Sequence, residues 1–331
     1  MRQLKDLDAV PAFGSWFDSL VALMSEGNPP VMEFAPGDAI MRAGDPAEFF
    51  LVILHGQAEV VGTFGDNPGL AVEPGALLGE LGVLFSGRRR RTVVATSSVI
   101  AITGTRAELE QAQQVEEIGN HVASIAGKRL AERVEPLEVT TGKGFTTVVR
   151  PLLPEDRDMY LELFGQVSLQ TLYRRFFIAR KPADSVIERL LYIDYVDHFA
   201  WVAIDPSAPA EPLIGIFRLV VEVDDASAAE VAFTVVDGYQ GRGLGTLFLG
   251  LTGAWAQVRR LRTLTAHVLN ENESAKRLFG KAHAQWTGLD SGVRDARIAV
   301  DDAAALLDDE TIQRVAIANQ QLAEVAALAD A

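Results

Sequence analysis

The sequence predicts two unlike domains in one chain: an antiparallel β barrel or roll with helices, followed by an α/β or α+β domain. Three observations predict this. Residues 33–103 break into short β-rich pieces punctuated by glycine ("EFAPGDAIMRAGD", "FFLVILHGQAEVVG", "LAVEPGALLGELGVLF", "RTVVATSSVIAITG"), the spacing of an antiparallel barrel or roll. From residue 150 onward helical and strand patterns alternate. The 331 residues exceed the usual size of one core, and each half is long enough to bury its own.

In the first half, helical periodicity takes over at Arg106, with Leu109, Val115, Ile118, Val122, Ile125 and Leu130 forming an apolar stripe until Pro136 stops it. This reads as one long amphipathic helix. "LEVTTGKGFTTVV" is rich in Thr and Gly without a helical period and reads as a linker entering a new strand. In "RPLLPEDRDMYLELFGQVS", Pro-Glu-Asp opens a helix, since acidic residues favour the positive N-terminal end. Strands follow at "FAWVAID", "LIGIFRLVVEV" and "EVAFTVV", then a glycine-rich turn, the helix "GTLFLGLTGAWAQVRR", the strand "LTAHVL" and the helix "ESAKRLFGKA". The tail from 301 has helical composition and a stripe through Leu306, Val315, Leu322 and Val325, as of a helix docked for packing. The expected domains are residues 1–135, a linker 136–146, residues 147–300 and a helical tail 301–331.

Composition excludes several function classes. With 48% hydrophobic and 23% charged residues the chain is of ordinary soluble type. No stretch approaches the roughly 20 apolar residues of a membrane span, so no membrane partner is expected. "MRQLKDLDAV" lacks the pattern of a secretory signal, and the expected compartment is cytoplasmic. Zero cysteines exclude disulfides, thiolate metal sites and a cysteine nucleophile. The five histidines (55, 121, 198, 267, 283) show no metal-ligand spacing, and no metal is expected. A net charge of −15 argues against nucleic acid as a partner, because such binding rests on a basic face. Four consecutive arginines at 88–91 are therefore local in purpose.

Around them, Gly79-Glu80-Leu81-Gly82 and Arg89 form a pattern suited to a nucleotide. Glycines let backbone N–H groups approach a small anion, and "ELGVLF" can wind as a short helix. Glu80 would repel a phosphate and makes sense only gripping hydroxyls, as of a ribose. Arg89, nine residues later, is placed to pair with the phosphate through charge-assisted bonds worth about 1.5 to 3 kcal/mol. Residues 33–103 resemble the cyclic-nucleotide-binding domain of protein kinase A regulatory subunits and the catabolite activator protein. That family's phosphate-binding cassette reads Gly-Glu-Leu, several residues, then Arg, two residues, Thr-Val, matched here by Gly79-Glu80-Leu81 and Arg89-Arg90-Arg91-Thr92-Val93. The resemblance implies that Glu80 holds the ribose 2′-hydroxyl and Arg89 the cyclic phosphate, with Arg90 beside them. Base contacts in that family usually come from the following helix or a neighbouring segment, which makes Arg129 and Arg133 candidates. Arg88 and Arg90 stand where the family usually carries proline and a small or hydroxyl residue.

"EVAFTVVDGYQGRGLGTLFLG" runs strand, tight turn, helix. Gln240-Gly241-Arg242-Gly243-Leu244-Gly245-Thr246 places three glycines at alternate positions where a helix begins, so N–H groups and the helix dipole converge on a diphosphate. Arg242 adds a charge. A dinucleotide fold needs Gly-x-Gly-x-x-Gly with an acid about 20 residues on, and a P-loop needs Gly-Lys-Ser/Thr; "TGKGFTT" at 141–147 fails the second test. The turn instead resembles motif A of the GNAT acyltransferases, (Gln/Arg)-x-x-Gly-x-(Gly/Ala), at Gln240, Gly243 and Gly245, and "NESAKRLFGKA" is similar to that family's Asn-x-x-Ala-x-x-x-Tyr segment. The resemblance implies that the turn binds the coenzyme A pyrophosphate, that the backbone of Phe233, Thr234 and Val235 pairs with pantetheine, and that Asn272 touches the cofactor. Phe279 stands where the family often has a tyrosine, and a thiolate of pKa about 8.5 can take its proton from water. Glu230, on a strand face with Ala232 and Thr234, lies at nearly the separation from the turn at which the family's lysine acetyltransferases carry a catalytic glutamate.

The two halves together resemble the mycobacterial-type cyclic-AMP-regulated protein lysine acetyltransferases. The resemblance implies cyclic-AMP-stimulated transfer from acetyl-CoA to protein lysines, AMP-forming acyl-CoA synthetases among them. Two other readings stay open on the residues alone: acetylation of a small amine, and a nucleotide-sensing interaction protein without turnover.

Overall fold

The computed structural model describes residues 2–7, 9–24, 27–61, 70–89, 91–191, 193–195, 197–209 and 212–329. The chain forms two compact units, Met1–Val122 and Ala123–Asp330.

The first unit opens with α1 (Ser15–Leu23) and continues with short strands: β1 (Val31–Phe34), β2 (Ala39–Met41), β3 (Phe49–His55), β4 (Ala58–Val61), β5 (Leu70–Val72), β6 (Leu77–Leu78), β7 (Thr92–Ala95) and β8 (Val99–Thr105). They make two four-stranded sheets, ordered β1-β8-β3-β6 and β2-β7-β4-β5, with every pair antiparallel. Two separate sheets replace the single closed barrel that the strand spacing also allowed. Ile40, Met41 and Val93 of one sheet share a core with Leu51, Ile53 and Ala101 of the other. This is why "FFLVILH" reads as an unbroken apolar run: its five central residues are all buried.

The single helix expected over 106–135 is two, α2 (Arg106–Ala112) and α3 (Glu116–Ala131). A capping box starts α2: Thr105 Oγ1 accepts from Glu108 N at 3.3 Å, and Glu108 Oε2 accepts from Thr105 N at 2.7 Å. At its end the hydrogen bonds tighten to three-residue spans, Gln114 N to Gln111 O and Val115 N to Ala112 O, and the chain turns. Then α3 passes so close that a Cβ on Gly119 would lie 2.7 Å from the Gln113 carbonyl. The six-residue gap from Leu109 to Val115 fits no helical repeat, but the glutamines between are good helix formers and mask the break. Within this unit Trp16 of α1 stacks on His121 of α3 at 3.9 Å, and burial pulls the His121 pKa down.

The second unit is an eight-stranded sheet with helices. Its elements are β9 (Leu137–Thr140), β10 (Thr146–Pro151), α4 (Arg157–Gln166), α5 (Leu169–Phe176), α6 (Asp184–Leu191), β11 (His198–Ile204), β12 (Leu213–Glu222), β13 (Asp225–Val235), α7 (Leu244–Val258), β14 (Thr263–Leu269), α8 (Glu273–Gly280), β15 (Gln285–Asp290), β16 (Val293–Ala299), α9 (Val300–Ala304) and α10 (Asp309–Ala329). The strand order is β15-β16-β14-β13-β12-β11-β10-β9. The Thr/Gly-rich segment read as a connection folds as the β9–β10 hairpin. β13 and β14 pair in parallel, which requires a crossover, and α7 supplies it.

Unlike an amphipathic surface helix, α7 is apolar on nearly all sides and buried from Leu247 to Ala256. Phe248 stacks on Phe217 at 4.9 Å and Trp255 on Phe199 at 4.4 Å, which fixes the helix on the sheet. On the other side Gly250 and Gly253 leave room for Leu307 and for the backbone of Ala303 and Ala304. In α10, Val315 and Leu322 of the expected stripe are buried.

Arg150 at the end of β10 and Asp156 before α4 form a fork of two 2.7 Å hydrogen bonds, and Asp156 Oδ2 also accepts from Leu153 N at 2.8 Å. Both side chains are largely buried. Replacing Asp156 by Ala leaves a guanidinium without its counter-charge, and the expected loss is about 3 to 5 kcal/mol. Scanning calorimetry of Asp156→Ala is therefore expected to show the melting temperature lower by about 10 °C.

Candidate functional site

The two sequence patterns fall in different units, and each builds a local site. In the first unit the chain leaves β6 through Gly79 at φ +88° and enters one wide helical turn. That turn is closed by Val83 N on Gly79 O at 3.0 Å and Gly87 N on Gly82 O at 2.8 Å. Glu80 and Leu81 sit in it, buried to 1% and 6% exposure. Arg89 follows it, 5% exposed, with its guanidinium over the Phe49 ring at 4.4 Å. A Cβ on Gly79 would lie 2.4 Å from Arg89 Nη1, so glycine is needed there to let the guanidinium pass. Gly82 packs on Ala47 and the Arg88 carbonyl.

Burial pulls the Arg89 pKa down, against the opposing pull of Glu80, then Asp45 and Glu48. Its Nη2 is buried and finds no hydrogen-bond partner among the described residues. A buried cation with a spare donor is the residue type that accepts an anion, so the arrangement fits a cyclic phosphate. The segment 43–47 braces the cassette from behind. Ala43 N donates to Thr92 Oγ1 at 3.0 Å, Gly44 N to Arg89 O at 2.8 Å and Arg89 N to Asp45 O at 2.7 Å. Sequence reasoning missed these residues because the contacts span more than forty positions. Arg88 is exposed and reaches the Gly44 carbonyl at 2.8 Å. Arg90 lies outside the described residues. Arg133, named as a base contact, lies just past α3 in the second unit.

In the second unit β13 and β14 pair only over Ala228↔Thr263, Ala229↔Leu264 and Glu230↔Thr265. Beyond Glu230 the strands part. Val231–Val235 keep β12 on one side, with Gly215 opposite Val235, and among the described residues have no strand on the other. Glu230 is exposed at the point of parting. The unpaired edge running through Phe233, Thr234 and Val235 offers backbone groups to an extended amide-bearing ligand, apart from the Val235 carbonyl, which Gln240 holds. The Phe233 ring lies 6.3 Å from that of Phe248 and 6.2 Å from that of Phe279, which is itself buried.

The glycine turn connects this strand to α7. Gly241 and Gly243 take φ of +78° and +93°, and Gly243 is the N-cap of α7. Leu244, Gly245 and Thr246 form the first turn of α7, whose N–H groups lack helical partners. A positive helix end beside an unpaired strand edge fits a diphosphate followed by pantetheine amides.

Arg242 lies over two touching rings, 5.1 Å from Phe145 and 4.7 Å from Tyr239, and donates to Gly238 O at 3.2 Å. Gln240 turns its amide inward, donating to Val235 O and Thr171 Oγ1, each at 3.1 Å. Asn272 caps α8 by accepting from Ala275 N at 3.2 Å.

Several residues here carry no signal in the sequence reading. Lys281 Nζ donates to Thr246 Oγ1 at 2.9 Å, placing a cation beside the helix start. Thr141 Oγ1 donates to Arg242 O and Lys143 Nζ to Gly241 O, each at 2.7 Å. Asp237 holds the start of α5 by accepting from Ser168 N and Oγ at 2.8 Å and Thr171 Oγ1 at 3.0 Å. Burial raises its pKa, but these hydrogen bonds outweigh it and hold the carboxyl below its ordinary value. Arg218 on β12 donates to Tyr160 Oη at 2.9 Å and contacts His198 Nε2 at 2.6 Å. Burial, then the like charge of Arg218, pulls Arg175 down to about 10, with Glu230 among the charges opposing the shift. Among the described residues no helix is long and apolar enough to cross a membrane.

Comparison with known proteins matches a family model to part of each unit. The cyclic nucleotide-binding domain model matches residues 31–115 and the acetyltransferase (GNAT) domain model residues 147–285. Acetyltransferase Pat of Mycolicibacterium smegmatis is 35% identical over 260 residues, 78% of each chain. A cAMP-dependent protein kinase regulatory subunit of Hypocrea atroviridis is 32% identical over 106 residues, 32% of this chain and 22% of that one. A solved point mutant of the cAMP-binding acyltransferase from Mycobacterium smegmatis is similar with a TM-score of 0.50 at 29% identity, covering 93% of this chain and 92% of that one. With a cyclic nucleotide-binding domain fused to a GNAT acetyltransferase domain, the chain belongs to the Pat family of cAMP-regulated acetyltransferases.

Proposed function

We propose that the protein transfers the acetyl group of acetyl-CoA to the ε-amine of a lysine in protein substrates, stimulated by cyclic AMP, with Glu230 as general base. The observation that carries this reading is the parting of β13 and β14 at Glu230, beside the start of α7. In it, the amides of Gly241, Arg242, Gly243, Leu244, Gly245 and Thr246 receive the coenzyme's pyrophosphate, while Gln240, its own N–H bonded to Asp237 O, braces the turn. The edge of Phe233, Thr234 and Val235 takes its pantetheine arm, and Asn272 adds a contact. The coenzyme supplies the activated thioester.

A lysine amine of pKa about 10.4 is roughly 0.1% neutral near pH 7.4, which costs about 4 kcal/mol before attack. Glu230 removes the proton, directly or through one water. Phe279 has no proton to give, so the departing thiolate is protonated by solvent. Kinship to Pat supports AMP-forming acyl-CoA synthetases as acceptors, and a cytoplasmic location accords with such substrates.

In the first unit, read as a β roll, Gly79, Glu80, Leu81, Gly82, Arg89 and Arg90 form the nucleotide cassette. Glu80 takes the ribose 2′-hydroxyl and Arg89 the cyclic phosphate. Cyclic AMP is supported as the ligand by the names of the relatives, a cAMP-binding acyltransferase and a cAMP-dependent kinase subunit. Residues 1–135 are the regulatory domain, 147–300 the catalytic domain and 301–331 a packing tail, with 136–146, expected as a linker, folded into the β9–β10 hairpin. To swing an inactive conformer from 1:99 to 99:1 the nucleotide must prefer the active one by about 5.5 kcal/mol.

Three measurements test this reading. Incubating the protein with labelled acetyl-CoA and an acyl-CoA synthetase is expected to place label on the polypeptide faster with cyclic AMP than without, and equal rates reject regulation. Glu230→Gln is expected to lower kcat/KM by about 100-fold or more near pH 7, with the deficit shrinking as pH approaches the amine's own pKa near 10.4. Arg89→Ala is expected to weaken cyclic AMP by about 10- to 100-fold in calorimetric titration, from the loss of a charge-assisted pair.

A further inference from the structure

The segment Thr141–Phe145, which fails as a phosphate loop in its own right, makes two side-chain hydrogen bonds to the coenzyme turn, and both are to carbonyl oxygens. The peptide unit is planar and trans, so its N–H points opposite to its C=O. The carbonyl of Gly241 shares a unit with the N–H of Arg242, and the carbonyl of Arg242 shares one with the N–H of Gly243. Donors from Lys143 and Thr141 hold these two carbonyls at 2.7 Å each. The two N–H groups are thereby directed away from the β9–β10 turn.

We propose that Thr141 and Lys143 are positioning residues for the coenzyme: they grip the back of the glycine turn so that its amides are set for phosphate before the ligand arrives. The inference rests on the reading that this turn holds the coenzyme. A turn with positive φ at two glycines is otherwise free to adopt many conformations, and ordering it on binding weakens affinity. The gripping element is itself rigid. Thr141 is 4% exposed and its backbone closes the hairpin turn through Thr141 N to Phe145 O and Gly144 N to Thr141 O, both at 2.8 Å. Phe145 carries the Arg242 guanidinium on its ring. Only glycine fits at 243 with the clamp in place, since an added Cβ would meet Thr141 Cβ at 3.0 Å on a left-handed backbone. The same geometry puts the Lys143 ammonium on the carbonyl side of the turn, as a support rather than a phosphate ligand.

The test uses the full-length protein, titrated calorimetrically with coenzyme A and with 3′-dephospho-coenzyme A, alongside steady-state rates. Thr141→Val and Lys143→Ala are each expected to weaken both compounds by the same factor, about threefold to tenfold. KM for acetyl-CoA should rise in step while kcat at saturation holds within about twofold, and Lys143→Arg should restore most of the loss. Unchanged affinity in Lys143→Ala, whose side chain is exposed and whose loss does not threaten folding, overturns the proposal. So does a loss confined to coenzyme A, which would make Lys143 a ligand of the 3′-phosphate. Wild-type protein that binds neither compound overturns the reading of the turn along with the clamp. A Glu230→Gln protein of normal rate leaves the titrations unaffected, and so separates the base from the clamp.

Discussion

The second unit depends on one exception in its sheet. Every neighbouring pair runs antiparallel except β13 and β14, and that pair holds for three residues. A parallel neighbour cannot be reached by a hairpin, so the chain must leave β13, cross the sheet as a helix and return. The crossover puts a helix start at the end of β13, and the short pairing opens a seam beside it. Amide groups of two kinds, from a strand edge and from a helix end, then line the same gap. The burial of α7 on nearly all sides follows from the same demand, because a helix that must hold such a start in place is anchored to the sheet by Phe248 and Trp255.

The first unit solves a different problem, that of keeping charge inside a small β structure. Glu80 and Arg89 are both buried, in a unit whose sheets share an aliphatic core. Desolvation alone would expel such groups. They stay because the backbone of 43–47 fixes the chain on either side of Arg89, Phe49 covers its guanidinium, and three carboxylates oppose the cost of burial. An incoming anion satisfies a group already desolvated, so less of its binding energy goes into removing water from the cation.

Much of this was legible in the chain because the chemistry is local in sequence. Gly79-Glu80-Leu81-Gly82 with Arg89, and the alternating glycines from 241 to 245, each lie within a dozen residues. What the sequence hid is long-range or lacks periodicity. Thr141 reaches Arg242 across 101 positions, and Lys143 reaches Gly241 across 98. "TGKGFTT" therefore looked like a connection when it is a support. The hairpin of β15 and β16 went unread because β15 is mostly exposed and shows no apolar alternation. The break between α2 and α3 was covered by residues that favour helix even where the chain turns.

The helix α3 begins in the first unit and ends in the second, with the division at Val122 and Ala123 falling mid-helix. A helix is cooperative, each turn stabilised by the one before it. A break anywhere within Glu116–Ala131 therefore frays the helix from both new ends.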